Sequence, residues 1–144
     1  MRAIALAAVA LVAAVACSSY DDGPSSDGAC VQVPSADCKP LVDPPTYDAI
    51  YTQILRPTCG SAACHASGSV IGGLSFATAE ASHAMLLGRD GATVRVVEGD
   101  PSCSPLMKRI MSDDPSYRMP RGSTPLSDAE TCAITKWIAA GAQR

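Results

Sequence analysis

The chain has 144 residues, of which eleven are Lys or Arg and fourteen are Asp or Glu, for a formal net charge of −3 at pH 7. The basic residues form no cluster, which argues against a nucleic-acid partner. The length suits one domain, but aromatic residues make up only 4% of the chain and many candidate helix positions are Ala. The apolar inventory for a core is therefore thin.

The first sixteen residues have the pattern of a secretory signal peptide. Arg2 is followed by residues 3–16 without a polar side chain, a stretch too short to span a bilayer as a mature helix. The sequence Ala14-Val15-Ala16-Cys17 resembles a bacterial lipobox with Ala where Leu is common, and Ser18 resembles lipoproteins sent to the outer membrane. We predict a cell-envelope protein, anchored at the outer membrane by lipid on Cys17 without spanning it. An ordinary signal peptide cut nearby is the alternative.

Residues 17–45 have the composition of a flexible connection. Ser, Asp, Gly and Pro dominate, and few aromatic or β-branched residues are present to pack. We therefore predict a disordered tether over 17–45. From residue 46 the pattern changes, and residues 46–144 are predicted to form one compact domain without internal repeats.

The first predicted helix opens this domain. Thr46 can cap it, Leu55 is its last residue and Pro57 ends it. One apolar face follows helical spacing and consists of Tyr47, Ile50, Tyr51 and Ile54.

Three further helices are predicted from their end signals. They run over Ala79–Leu87 after Thr78, around Pro105–Met111 after Ser102 or Ser104, and to Ala140 from a capping box of Ser127 and Glu130. Thr93–Val97 is the only strand candidate, so the fold class is mostly α.

Two cysteines followed directly by a histidine form the pattern that attaches haem covalently. The thiols of Cys59 and Cys64 would add across the vinyl groups, and His65 would ligate the iron. The usual spacing leaves two residues between the cysteines, whereas four small residues separate them here. One alternative is a Cys59–Cys64 disulfide with a solvated His65. Another is a zinc site built from the same three residues and His83, which the oxidising compartment and irregular spacing disfavour.

The seven cysteines can be assigned without a remainder. Lipid on Cys17 and haem on Cys59 and Cys64 leave four, which an oxidising compartment would pair. We predict the disulfides Cys30–Cys38 and Cys103–Cys132, although four cysteines allow three pairings.

The ordered motifs of the last two-thirds of the chain resemble the cytochrome c domains of planctomycetes and myxobacteria, which are related to class I c-type cytochromes. The motifs are Ile54-Leu55, the C-x4-C-H segment, Gly72-Gly73-Leu74, Val97-Glu98-Gly99-Asp100-Pro101, Met119-Pro120, Leu126 and Trp137-Ile138-Ala139-Ala140-Gly141-Ala142. The resemblance implies a small class I cytochrome c-like helical domain around one covalent haem c.

The same resemblance implies which residues hold the iron. His65 becomes the proximal ligand, and Met119, stiffened by Pro120 in a later loop, becomes the distal ligand. His83 is the rival distal ligand. Met107 and Met111, four residues apart on a predicted helix, are interpreted as core residues, and Trp137 is expected to pack against the first helix.

The function predicted from these features is electron transfer by an exported monohaem c-type cytochrome lipoprotein. With His65 and Met119 both on the iron, no position remains for substrate, so an enzyme is not expected. The partners would be unidentified redox proteins, the membrane through Cys17, and no second copy of the chain. The alternative is a haem-free, disulfide-stapled envelope lipoprotein that acts as a binding or structural module.

Overall fold

The computed structural model describes residues 29–61, 63–66, 71–91 and 93–144. The helices in these ranges are α1 (Tyr47–Ile50), a π-helical turn (Tyr51–Leu55), α2 (Arg56–Cys59), a 3-10 turn (Ile71–Gly73), α3 (Ala79–Leu86), α4 (Pro105–Ile110) and α5 (Asp128–Ala139). Within the described ranges no strand forms, which confirms the mostly α fold class. No described helix is long and apolar enough to cross a membrane.

The first helical stretch continues through Pro57, so the prediction that this proline ends it is wrong. In the π-helical turn the N–H of Arg56 donates to the carbonyl of Tyr51, five residues back. This wider winding accommodates a residue that lacks an N–H and would otherwise press on the preceding turn. Pro57 then lies in the first turn of α2, where its missing donor costs nothing. The consequence is that Cys59 lies on a helix.

The remaining helices confirm the sequence predictions to within a residue or two. Thr78 caps α3 by accepting from the N–H of Ala81. Ser127 and Glu130 form both halves of the predicted capping box of α5. Ser104 occupies the N-cap position of α4, but its hydroxyl serves the preceding loop and donates to the carbonyl of Asp100 at 2.7 Å.

The core lies between the first helical stretch and α5. The predicted apolar face of Tyr47, Ile50, Tyr51 and Ile54 is buried throughout. On α5, Ile134, Trp137 and Ile138 are buried as well, and the rings of Tyr47 and Trp137 lie 5.2 Å apart. Met107 is fully buried and Met111 packs at the edge of the core. The core predictions for Trp137 and both methionines are thus confirmed.

The segment 29–45 is packed against the domain, which corrects the predicted tether over its described part. The N–H of Val31 donates to the carbonyl of Ser102 at 2.8 Å, and that of Leu41 donates to Ala129 at 2.8 Å. Val42 is buried in the core. Polar composition suggested flexibility, but backbone pairing and two disulfides hold this stretch. We call residues 29–45 the N-terminal strap.

The two predicted disulfide pairings are wrong, although the same four cysteines are paired. The bonds are Cys30–Cys103 and Cys38–Cys132, with Cα–Cα distances of 4.4 and 5.9 Å. The prediction joined cysteines that are near in sequence. Because the strap runs across the domain, each of its cysteines instead meets one from a distant segment.

The strand candidate Thr93–Val97 does not form a strand. Val97 forms only an isolated bridge with Asp100. The N–H groups of Arg95 and Val96 both donate to the carbonyl of Leu86 at 2.9 Å. This segment is therefore held against the end of α3 as an irregular extension.

Candidate functional site

Cys59 ends α2 as a free thiol that packs against the core. Burial raises the pKa of this thiol to about 12, and the carboxylate of Glu130 adds to the shift. The next residue must be glycine, because a Cβ on Gly60 would lie only 2.6 Å from the carbonyl oxygen of Arg56. Cys59 is thus a protonated thiol that lies beside apolar side chains at the end of α2.

Cys64 and His65 lie in a tight turn after α2. The N–H of Cys64 donates to the carbonyl of Ser61 at 3.0 Å, and the N–H of Ala66 donates to the same carbonyl at 3.1 Å. Cys64 is disulfide-bonded. Because Cys59 is a free thiol, the two cysteines of the motif are not bonded to each other, which contradicts the alternative Cys59–Cys64 disulfide.

The imidazole of His65 is oriented by a carbonyl from a later loop. Its Nδ1 lies 3.0 Å from the carbonyl oxygen of Leu74. Since a carbonyl only accepts, Nδ1 carries the proton and Nε2 carries the lone pair. The N–H of Phe76 donates to the backbone carbonyl of His65 at 2.7 Å, and the Phe76 ring lies edge-on at 6.0 Å. This is the arrangement that prepares a histidine for a metal through Nε2.

Leu74 and Phe76 were not predicted to contact His65. Gly72-Gly73-Leu74 was recognised only as a family motif, and its role depends on the backbone of the segment 71–76. Gly72 and Gly73 both have positive φ, at 63° and 68°, which favours glycine. They turn the chain so that Leu74 and Phe76 are buried beside His65.

Met119 lies half-buried in the segment 111–127 that joins α4 to α5. Its N–H donates to the carbonyl of Arg109 at 2.9 Å, which fixes the backbone near the end of α4. The peptide bond between Met119 and Pro120 is cis. No measured contact joins Met119 to His65, so its role as distal ligand stays a prediction.

A cavity of about 210 Å³ lies beside the Met119 segment. Its apolar wall includes Ile110, Met111 and Leu126, and Arg118 lines it together with two aspartates. The Nε of Arg118 is buried and finds no acceptor among the described residues. A buried N–H without an acceptor is costly, so this nitrogen suits a group that the protein binds.

His83, the rival distal ligand, is engaged in contacts within the core. It is buried, and its Nε2 donates to the carbonyl of Ala142 at 2.8 Å. Its ring lies 4.7 Å from that of Tyr47 and 6.1 Å from that of Trp137. The nitrogen that would bind iron is thus used in the core, which argues against His83 as the distal ligand.

A resident metal site made of protein side chains alone is not found in the described part of the chain. No group of three or more His, Cys, Asp or Glu residues there could hold an ion. The zinc alternative, which needs His65 and His83 on one ion, therefore finds no support.

Residues 62–122 match the family model described as Planctomycete cytochrome C. Over these residues the chain is similar to a planctomycete-type cytochrome c domain. The match includes Cys64, His65, Met119 and the segment that carries Leu74, whereas Cys59 lies three residues before it. No curated protein and no solved structure shows significant similarity to the chain.

Similarity to a cytochrome c family implies haem c binding in general, and His65 and Cys59 fit that group, whereas Cys64 is disulfide-bonded in this structure. His65 presents Nε2 as a ligand atom, and Cys59 offers a free sulfur packed against the core. The family indicates an electron carrier rather than an enzyme.

Proposed function

We propose that this protein is an exported monohaem c-type cytochrome that transfers single electrons. The observation that supports this best is the hydrogen bond from His65 Nδ1 to the Leu74 carbonyl at 3.0 Å. It lies within the cytochrome family match and gives the histidine of the C-H motif the tautomer that a metal ligand needs.

Each residue of the site then has one task. Cys59 and Cys64 would hold the haem through two thioethers, each S–H adding across a vinyl double bond without a leaving group. His65 would ligate the iron through Nε2, while the Leu74 carbonyl holds the proton on Nδ1. The Met119 sulfur would be the second ligand, and a neutral thioether favours Fe(II) and raises the potential. Bound haem supplies the one-electron Fe(II)/Fe(III) couple.

A filled ligand set explains why electron transfer is favoured over catalysis. With both His65 and Met119 on the iron, substrate finds no open position.

The proposal includes the envelope location predicted from the first residues. Lipid on Cys17 would anchor the protein, at the outer membrane, and place the motif where haem is attached. The chain would act as a monomer toward a redox partner protein, for which the mild negative charge favours a basic surface.

The disulfide at Cys64 favours a second candidate, a haem-free disulfide-stapled lipoprotein that binds or supports other envelope components. A thioether and a disulfide at Cys64 exclude each other. The free thiol at Cys59 weakens this candidate, because a wholly disulfide-stapled module would pair it.

The deciding experiment is a pyridine haemochrome spectrum and intact mass of the full chain, produced in a host with cytochrome maturation proteins. A c-type spectrum and a mass increase of one haem that survives denaturation support the proposal. A colourless exported protein with Cys64 in a disulfide would overturn it and favour the second candidate. The far-red sulfur-to-iron band of the ferric form tests Met119, with Met111→Leu as the matched control.

A further inference from the structure

The loop that orients His65 is itself held from its other side by Arg95. One guanidinium nitrogen of Arg95 donates to the carbonyl of Gly72. The other donates to the carbonyls of Met85 at 3.0 Å and Thr93 at 2.7 Å. The Arg95 side chain thus connects the segment 71–76 to the end of α3 and to Thr93, two residues before Arg95 itself.

Gly72 and Leu74 are two residues apart in one short turn. The N–H of Leu74 donates to the carbonyl of Ile71, which makes the turn a small closed unit. A Cβ on Gly73 would lie 3.2 Å from the Arg95 guanidinium, so backbone and guanidinium are in close contact. Anything that moves the Gly72 carbonyl therefore moves the Leu74 carbonyl that accepts from His65.

The position of Arg95 is fixed independently of this loop. Its N–H donates to the carbonyl of Leu86 and its carbonyl accepts from the N–H of Leu106, at 2.9 and 2.8 Å. Burial lowers the pKa of the guanidinium, an energetic cost that three carbonyl acceptors offset. A rigid anchor that donates to a glycine turn is suited to positioning that turn.

We propose that Arg95 is a positioning residue that holds the Leu74 carbonyl against His65 Nδ1 and so selects the imidazole tautomer with a free lone pair on Nε2. The role of that lone pair on iron rests on the proposed function, whereas the link from Arg95 to the His65 tautomer does not. Lysine cannot replace Arg95, since one ammonium lacks the planar fork that reaches all three carbonyls.

The test is nitrogen NMR of the full chain in the ferrous or haem-free state, with the variants Arg95→Lys and Arg95→Gln. We expect solvent exchange of the His65 Nδ1–H to become at least about tenfold faster in both, because the hydrogen bond that protects it opens more often. In haem-free protein, the Nε2–H tautomer should also become populated. Arg89→Gln is the control, since it removes a cation from an exposed pair with Glu98 and leaves the loop intact.

A second readout separates this role from general stability. In the holoprotein, Arg95→Lys keeps the charge, so a weaker Nδ1 hydrogen bond should make His65 a poorer donor and raise the reduction potential. Arg89→Gln should not reproduce that rise. Folded Arg95 variants with unchanged exchange and tautomer would overturn the proposal. Altered His65 exchange in a chain that never binds haem would instead overturn the proposed function alone.

Discussion

The two histidines of this chain show how a hydrogen bond decides what a ring can do. At His83 the bond to a carbonyl uses Nε2, and the ring is closed in by Tyr47 and Trp137. At His65 the bond uses Nδ1, and the ring of Phe76 lies edge-on at 6.0 Å. The His83 ring is committed to the core, whereas the His65 ring presents a ligand nitrogen.

The difference also lies in what supports each end. His83 is on α3 and contacts the C-terminal residues after α5, where helices and aromatic rings supply the packing. His65 lies in a turn and depends on the glycine turn 71–73 and on Arg95. Buried rings thus surround His83, whereas the orientation of His65 depends on a few backbone hydrogen bonds.

The largest expected effect is the loss of the iron ligand at His65, which tests the difference between the two histidines directly. His65→Gln should abolish the low-spin six-coordinate spectrum of the ferrous protein, because the amide cannot replace the imidazole as an iron ligand. His83→Phe should leave that spectrum intact. Absorption spectra of the two purified holoproteins measure this, and a low-spin spectrum that survives in His65→Gln would show that another residue ligates the iron.

The next largest expected effect is a loss of stability when a disulfide of the N-terminal strap is removed. Replacing both Cys38 and Cys132 with Ser removes a bond between residues 94 apart in sequence. We expect the free energy of unfolding to fall by about 3 kcal/mol, mainly because the unfolded chain gains freedom. Urea unfolding measures it, and peptide mapping should recover Cys30–Cys103 intact. A recovered Cys30–Cys38 peptide in wild-type protein would contradict the pairing.

His83→Phe should cost less, about 1–2 kcal/mol. The phenyl ring preserves the contacts with Tyr47 and Trp137, so the loss comes from leaving the buried Ala142 carbonyl without its donor. Urea unfolding of haem-free protein measures the change. His65→Phe is the matched variant at the other histidine. It should lower the free energy of unfolding by less still, because the His65 ring is half-exposed. Equal losses of stability in the two variants would mean that His83 and His65 do not differ in how tightly they are packed.

Helix signals in the sequence predicted much of this fold, because caps and apolar spacing are local. The Ser127–Glu130 box and the Tyr47–Ile54 face needed no knowledge of the rest of the chain. Pro57 was misleading, since the π-helical turn that accommodates it depends on how the preceding residues wind. The disulfide pairings failed for a related reason, as the path of the strap across the domain is set by tertiary contacts.

The sequence proposes residues for the candidate site, and their role in binding haem stays a prediction, but it does not predict the geometry around them. The C-H motif identified Cys59, Cys64 and His65 through residue type and order. The acceptor at Leu74 and the anchor at Arg95 are backbone and loop relationships that no residue pattern encodes. His83 could be separated from His65 only once its Nε2 was seen to donate to Ala142.

The last prediction concerns the Cys59 thiol in haem-free protein, where the smallest change is that of a single variant, Glu130→Gln. With a pKa of about 12 against an ordinary value of 9.0, the thiolate fraction at pH 8 should be lower by about 1,000-fold. Iodoacetamide should therefore react slowly, with a rate that still rises above pH 10.

Because burial is the main cause of the raised pKa and Glu130 the lesser one, Glu130→Gln should speed the reaction only a few-fold. Asp128→Asn on the same helix turn should change little. An ordinary thiol profile in wild-type protein would mean that this end of the domain is open to water, and complete resistance to alkylation would indicate that the sulfur is already bonded.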